Sequence, residues 1–220
     1  MKILHLEEIK SLVRELDLLP LIKKGFIAYS EGNAVVPPVG ELNFNEPSGE
    51  VHIKYGYIKK EKFYVIKIAS GFSNNERFGI ANGQGMMLLY KQETGQCEAI
   101  LLDEAYLTDV RTAVAGAICA ELFSNDVSCI GVLGTGLQAR MQVQYLKNIT
   151  PCRSIMVWGR NKDKMQKYQM DMVEDGFEVD LSFSAHDIPK KCNLIITATA
   201  SLEPLIFAKD ILPGTHITAM

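Results

Sequence analysis

The sequence lacks the features that direct a chain to a membrane or to a nucleic acid. No apolar run approaches the ~20 residues that a membrane-spanning helix needs. The first eight residues, MKILHLEE, turn acidic too soon for a secretory signal. The net charge is −3 and no basic stripe is present, so no surface is expected to attract nucleic acid. We therefore predict a cytoplasmic protein that binds neither a membrane nor a nucleic acid.

Cysteine and histidine are too few and too scattered to suggest a metal site. No C-x-x-C pair occurs among the five cysteines, which are Cys97, Cys119, Cys129, Cys152 and Cys192. Because their number is odd, we interpret them as reduced, mostly buried thiols rather than as a disulfide framework. The four histidines show no pairing typical of a metal site or a catalytic triad. No metal is predicted.

Hydrophobic residues make up 47% of the 220 residues, enough for a substantial core. The N-terminal half mixes helix and strand patterns. Apolar residues recur at helical spacing from Ile9 to Leu16, and Pro20 predicts a break before a second helix at 21–30. The Pro- and Gly-containing stretch 33–49 is interpreted as loop or edge structure. Alternating and β-branched runs predict strands at 51–57, 63–69, 86–90 and 99–102.

A long alanine-rich helix, predicted at 106–123, leads into a different pattern. Its small residues, which allow close packing, are Ala113, Ala115, Gly116 and Ala120. From Val127 on, strand patterns alternate with helix patterns, as is typical of a doubly wound parallel sheet. We therefore predict an α/β protein whose N-terminal part, at 1–124, is an α+β domain. A Rossmann-type domain is predicted at 125–220.

The first turn of the second domain carries the most specific chemistry. Gly134-Thr135-Gly136 follows an apolar strand pattern and precedes a helix pattern. In dinucleotide-binding turns the first glycine allows the tight turn and the second lets the pyrophosphate approach the backbone. A small residue, here Ala139, lets the helix pack on the strand. The phosphates then meet the N–H groups at the start of the helix, so this turn predicts bound NAD or NADP.

The end of the next predicted strand bears on the choice of cofactor. An NAD site usually has an Asp or Glu about 20 residues past the glycine turn. This chain has Gly159-Arg160-Asn161 there instead. Arg160 would attract a ribose 2′-phosphate, and Gly159 leaves room for one, which favours NADP. The alternative is that Arg160 is a solvated loop arginine.

Several motifs together resemble the ornithine cyclodeaminase/μ-crystallin family. The likeness runs from about Pro37 onward. Its most specific parts are LTDVRTA at 107–113, GTGLQ at 134–138, VWGRN at 157–161 and PGTHITA at 213–219. The resemblance implies an NAD(P)-dependent enzyme that acts on an amino acid or a cyclic imine and forms a homodimer. It also implies that the domain at 1–124 is the substrate-binding and dimerisation domain.

The resemblance also assigns roles to individual residues. Lys67 matches the family's lysine near the substrate carboxylate and the reacting carbon, and Arg111 matches the arginine that holds that carboxylate. Both roles make physical sense, because a guanidinium fork recognises a carboxylate bidentately. The alternatives are an edge-strand lysine that faces water and an arginine on a helix surface.

The remaining matches concern the dinucleotide. Leu137 and Gln138 match positions that meet its phosphates. Thr199 and Ala200 match a loop near the nicotinamide ribose, at the carboxyl edge of the sheet where ligands bind in this architecture. Asn82 is a weaker match to another nucleotide contact.

Three departures from the family pattern bear on whether the chain catalyses the family's reaction and on which substrate it accepts. The family's catalytic aspartate is expected beyond Met220, so the chain is either a fragment or a truncated protein without the family chemistry. Pro37-Pro38-Val39 stands near the place of a carboxylate-binding arginine. Lys54 stands where ornithine-specific members carry a glutamate, which disfavours ornithine unless Glu41 or Glu50 compensates.

The sequence leaves three functions open. The first is deaminating cyclisation of ornithine or a related amino acid to a proline-type product, with Lys67 and Arg111 orienting the carboxylate. The second is a one-way NADP(H)-dependent imine or ketimine reductase, or an amino-acid dehydrogenase, which Arg160 and Lys54 favour. The third is an inactive NADP-binding protein of μ-crystallin type.

Overall fold

The structure, a computed structural model, describes all 220 residues. Internal contacts divide the chain into two compact units, Met1–Arg111 and Thr112–Met220. The division falls inside one helix, whereas the sequence places the boundary at the end of that helix, after residue 124. None of the helices combines the length and the apolar character that crossing a membrane would require.

Unit 1 is built around a seven-stranded sheet with the order β1-β7-β6-β5-β4-β2, and β3 pairs with β4. All neighbours are antiparallel except β1 and β7. The elements are β1 Lys2–His5, α1 Leu6–Arg14, α2 Leu18–Ser30, β2 Ala34–Val35, β3 Gly40–Phe44, β4 Gly49–Ile58, β5 Phe63–Phe72, β6 Gly83–Lys91 and β7 Cys97–Leu102.

Two details of unit 1 differ from the sequence-based prediction. Helix α2 begins at Leu18, so Pro20 lies in its first turn and does not break it. Proline is tolerated there because the first N–H groups of a helix have no partner within the helix. Lys2–His5 forms an unpredicted strand parallel to β7. These four residues are too few to show a strand pattern of their own.

Unit 2 has a five-stranded parallel sheet with the order β10-β9-β8-β11-β12. The α/β class and the parallel sheet predicted from the sequence are confirmed. Helix α3 begins in unit 1 and ends in unit 2. The elements are α3 Tyr106–Phe123, β8 Ile130–Leu133, α4 Leu137–Leu146, β9 Ser154–Trp158, α5 Lys162–Glu174, β10 Glu178–Leu181, α6 Ile188–Lys191, β11 Leu194–Thr197 and β12 His216–Ala219.

Both faces of the parallel sheet are covered, as a doubly wound fold requires. On one face, Ile130 and Val132 of β8 pack in a core with side chains of α3, α4 and α5. On the other face, Leu133 packs with Ile188 and Cys192, at α6 and its end. The small residues of α3 allow close packing, as predicted: a Cβ at Gly116 would meet the side chain of Gln142 in α4.

Candidate active site

The turn from β8 to α4 has a geometry that only glycine fits at its first position. Gly134 has φ +123°, and a Cβ there would collide with the carbonyl oxygen of Ala198 just after β11. Its N–H donates to the carbonyl oxygen of Trp158 at 2.8 Å, and the N–H of Ala198 donates to Leu133 at 2.8 Å. The start of the turn is therefore fixed to both neighbouring strands.

The second glycine of the turn faces open space. A Cβ at Gly136 would meet no atom within 4 Å. Gly136 is also the N-cap of α4, so no side chain caps the first-turn N–H groups, which include those of Leu137 and Gln138. An uncapped helix start beside open space can accept an anion such as a phosphate. The site therefore fits the pyrophosphate of a dinucleotide.

The end of β9 contacts this turn. A Cβ at Gly159 would lie 2.8 Å from the methyl group of Thr135, so glycine is needed for that close approach. Arg160 is exposed at the same end of the strand. Asn161 has a defined structural role, since its side-chain oxygen caps α5 by accepting the N–H of Lys164 at 2.9 Å. This capping role explains the presence of Asn161 at this position without any contact to a nucleotide.

Thr199 joins the same edge of the sheet, whereas Asn82 belongs to the other unit. Thr199 follows β11, and its N atom would lie 3.5 Å from a Cβ at Gly134. Asn82 lies just before β6 in unit 1 and lines a surface pocket with Phe44 and Phe72. Its backbone oxygen accepts the N–H of Phe72 at 2.9 Å.

A separate cluster in unit 1 surrounds Lys67 on β5. The Nζ of Lys67 donates to the hydroxyl of Thr108 at 3.2 Å. Burial lowers the pKa of Lys67 to about 8, helped by the positive charges of Arg111 and Lys54. Lys54 is the direct cross-strand partner of Lys67, so both side chains lie on one face of the sheet. Arg111, on α3, is exposed. The carboxylates of Asp103 and Asp109 oppose this effect on the pKa of Lys67, but three cations against two carboxylates leave an excess of positive charge that suits an anionic ligand.

The family model for ornithine cyclodeaminase/mu-crystallin proteins matches residues 1–220. The chain belongs to this family. An uncharacterized cyclodeaminase of Sinorhizobium fredii is 35% identical over 100% of the chain and 68% of that protein. A ketimine reductase mu-crystallin of Mus musculus is 25% identical over 99% of the chain and 70% of that protein.

The fold of this family member is also found in solved structures. The Delta(1)-pyrroline-2-carboxylate reductase of Thermococcus litoralis, solved with NADH and L-proline, superposes with a TM-score of 0.93 at 23% identity. The match covers 100% of this chain and 68% of the other. At this level of identity the likeness establishes the shared fold.

One residue at the glycine turn was missed by the sequence analysis. Arg140 of α4 donates from Nη1 to the carbonyl oxygens of Thr135 and Gly136. Its Nε and Nη2 donate to Asp171 of α5, and its guanidinium lies 5.0 Å from the ring centroid of Tyr168. Because the turn's carbonyls are held by Arg140, its N–H groups are left for a ligand. Arg140 directly follows the predicted Ala139, but nothing in the sequence indicates Asp171 as its partner.

The approach of α3 to Lys67 was also missed. Glu104 and Ala105 have positive φ values of 49° and 67° just before the helix. Gly85 permits this path, because a Cβ there would lie 3.3 Å from the N atom of Ala105. The buried carboxylate of Asp103 accepts the N–H of Leu107 at 2.9 Å and so caps the start of α3. Strained backbone of this kind costs of order 1–3 kcal/mol per residue and is typical of functional sites. The helix that follows carries Thr108, whose hydroxyl accepts the hydrogen bond from Lys67.

Proposed function

We propose that the protein is an NAD(P)-dependent oxidoreductase that acts at the α-carbon of an imino or amino acid. The observation that carries the proposal is the environment of Lys67, a half-buried lysine that shares its sheet face with Lys54 and is influenced by Arg111. An amino acid and its imine both present a carboxylate. Such a group would neutralise this excess of positive charge.

The glycine turn of unit 2 is proposed to hold the dinucleotide. Three observations support this: the open space at Gly136, the uncapped start of α4, and the hydrogen bonds by which Arg140 occupies the carbonyl oxygens of the turn. Exposed Arg160 would pair with a ribose 2′-phosphate, which favours NADP. When bound, the nicotinamide supplies a hydride donor or acceptor.

The protein's own residues would bind and orient the substrate. Lys67 and Arg111 would hold the carboxylate, which fixes the direction of the α-carbon. Thr108 accepts a hydrogen bond from Lys67 and so limits the positions of its ammonium group. Lys54 would repel a cationic side chain. Of the family activities, reduction of a cyclic imino acid, which has a carboxylate but no cationic side chain, therefore fits this site better than cyclisation of ornithine.

Cyclodeamination of a basic amino acid is the second candidate. The relative named a cyclodeaminase is 35% identical to the chain. Glu50 lies on the same strand as Lys54, with a carboxylate oxygen 3.5 Å from a ring nitrogen of His52. Glu41 lies on the other side of His52, at 3.6 Å. These carboxylates could receive a substrate amine in spite of Lys54.

A single assay separates the candidates. A reductase given NADPH and a cyclic imino acid loses nicotinamide absorbance in proportion to product. A cyclodeaminase given ornithine releases ammonia with no net change in absorbance. Lys54→Glu should raise activity on ornithine relative to Lys54→Met, which removes the charge without adding one. If neither substrate reacts but NADP binds, the protein is a nucleotide binder, and if NADP does not bind, the whole proposal is wrong.

The homodimer expected from the family is a further proposal. Light scattering of the purified chain measures its mass directly. A mass of one chain at micromolar concentration would contradict the dimer and leave the oxidoreductase proposal to the assay above.

A further inference from the structure

Two cysteines of unit 2 are in contact near the N-terminal ends of the parallel strands β8 and β11. The Sγ atoms of Cys129 and Cys192 are 3.3 Å apart, although 63 residues separate the two along the chain. Cys129 directly precedes β8, and Cys192 lies between α6 and β11. All five cysteines of the protein are free thiols in the structure.

The backbone around this pair fixes the contact. Strands β8 and β11 pair in parallel, and the N–H of Asn193 donates to the carbonyl oxygen of Cys129 at 3.3 Å. The side-chain oxygen of Asn193 accepts the N–H of Ser128 at 2.9 Å. Gly131 provides the space, because a Cβ there would lie 3.0 Å from the Cβ of Cys192. The two sulfurs are therefore held together by features of both strands.

The two thiols differ in reactivity. Cys192 is almost fully buried, whereas Cys129 is partly exposed. A hydrogen bond from the Cys192 thiol lowers the pKa of Cys129 to about 7, and a weaker one from Ser154 adds to this effect. The same contact and burial raise the pKa of Cys192. Cys129 is thus the thiol that a soluble reagent reaches as a thiolate, with Cys192 behind it.

We propose that Cys129 and Cys192 form a reversible dithiol–disulfide site that reacts with small-molecule disulfides. The Cys129 thiolate attacks one sulfur of the reagent, which breaks its S–S bond and releases one thiolate. Cys192 then loses its proton to solvent and attacks the sulfur of Cys129, which releases the second thiolate. The protein loses two electrons and two protons, and one molecule of reagent is reduced to two thiols.

The bond would join the starts of β8 and β11. The far ends of these strands carry Gly134 and Ala198, which are themselves in close approach at the glycine turn. Oxidation would therefore connect two strands of the dinucleotide site at the end remote from the ligand. Closing a loop of this length restricts the unfolded chain, so the oxidised protein should have a Tm higher by about 5–15 °C.

Cys152 is the competing partner. It lies two residues before β9, and its Sγ donates to the backbone oxygen of Ser154 at 3.7 Å. Burial raises its pKa, so it is a poorer nucleophile than Cys129. Cys97 lies in unit 1, on β7, and serves as a distant control.

Oxidised glutathione, added to the folded reduced chain, tests the proposal. After alkylation and digestion, mass spectrometry should find a Cys129–Cys192 cross-link, in the parent and in a C97S/C152S variant. C192S should stop at the glutathione adduct of Cys129, and C129S should show neither product. The rise in Tm should disappear on reduction and be absent in C129S. A cross-link to Cys152, or no cross-link unless the chain is first denatured, would overturn the proposal.

Discussion

Two nitrogens of Arg140 donate to the same carboxylate oxygen of Asp171, from Nε at 2.9 Å and from Nη2 at 2.8 Å. The hydrogen bond from Arg140 is the main reason why the pKa of Asp171 lies below its usual value. This pair leaves Nη1 directed at the carbonyls of the glycine turn. A contact between α4 and α5 therefore determines which backbone groups the turn presents to a ligand.

Replacing Arg140 should weaken dinucleotide binding. In Arg140→Met the carbonyls of Thr135 and Gly136 lose the guanidinium donor, so the turn after Gly134 is less constrained. Loss of hydrogen bonds from a charged group costs about 1.5–3 kcal/mol, which corresponds to a rise in the Kd for NADP of roughly 10- to 100-fold. Titration calorimetry measures the Kd.

The matched control for this prediction is Lys167→Met. Lys167 also pairs with Asp171, at 3.3 Å, but its side chain is exposed and does not contact the turn. Its removal should leave the Kd unchanged within a factor of about two, since exposed pairs contribute little. Equal losses in the two variants would show that Asp171 alone, and not the turn, is responsible.

The two glycines of the turn should respond differently to alanine. Gly134→Ala places a Cβ against Ala198 at a left-handed φ, so we expect a loss of stability of about 2 kcal/mol or more. Gly136→Ala meets no protein atom and has φ −84°, so the fold should tolerate it. The new methyl group would occupy the open space, and NADP affinity should fall at least about tenfold. Urea unfolding and nucleotide titration together separate the effects, and an unchanged Kd for Gly136→Ala would contradict the placement of the phosphates.

The pKa of Lys67 predicts the alkaline limb of the pH profile. Since this pKa is lowered to about 8, the ammonium group of the free protein is lost as the pH rises through about 8. Only the charged form attracts a carboxylate, so kcat/KM should fall above that pH. In Lys67→Arg the guanidinium stays protonated, and the limb should move up or vanish even if the rate is lower. If the fall in kcat/KM occurs at the same pH in Lys67→Arg, a group other than Lys67 is responsible for it.

Arg160 should set the preference between the two cofactors. Arg160→Glu replaces attraction for a 2′-phosphate by repulsion, so the Kd for NADP should rise by about tenfold or more while that for NAD changes little. Lys162→Glu, a change of the same charge at the start of α5, controls for a general electrostatic effect. If both variants weaken NADP binding equally, Arg160 makes no specific contact.

Local patterns were enough to predict most of the parallel sheet and its two longer helices in the second half of the chain. The strands β8 to β11 and the helices α4 and α5 follow the predicted alternation, because a buried parallel strand has a short continuous run of apolar residues. The four-residue helix α6 was not predicted. The first glycine of the turn was also predictable from a local pattern, because a glycine between a strand and a helix indicates a tight turn. Its φ of +123° is a value that other residues rarely adopt.

Contacts between distant segments could not be predicted in this way. The pairing of Lys54 with Lys67 depends on the register of β4 and β5, and the pairing of Arg140 with Asp171 depends on how two helices pack. Both helices were expected, but propensity says nothing of which side chains meet. The positive φ values of Glu104 and Ala105 were equally hidden, because neither residue type favours that conformation.

Strand β8, which leads into the glycine turn, occupies the centre of the parallel sheet with all four residues buried. Amides in such a position exchange with solvent only when most of the surrounding structure opens, whereas edge strands such as β10 and β12 fray more readily. The turn is thus attached to the most persistent part of unit 2. A ligand that arrives there finds its hydrogen-bond donors already ordered, so little conformational entropy is lost on binding.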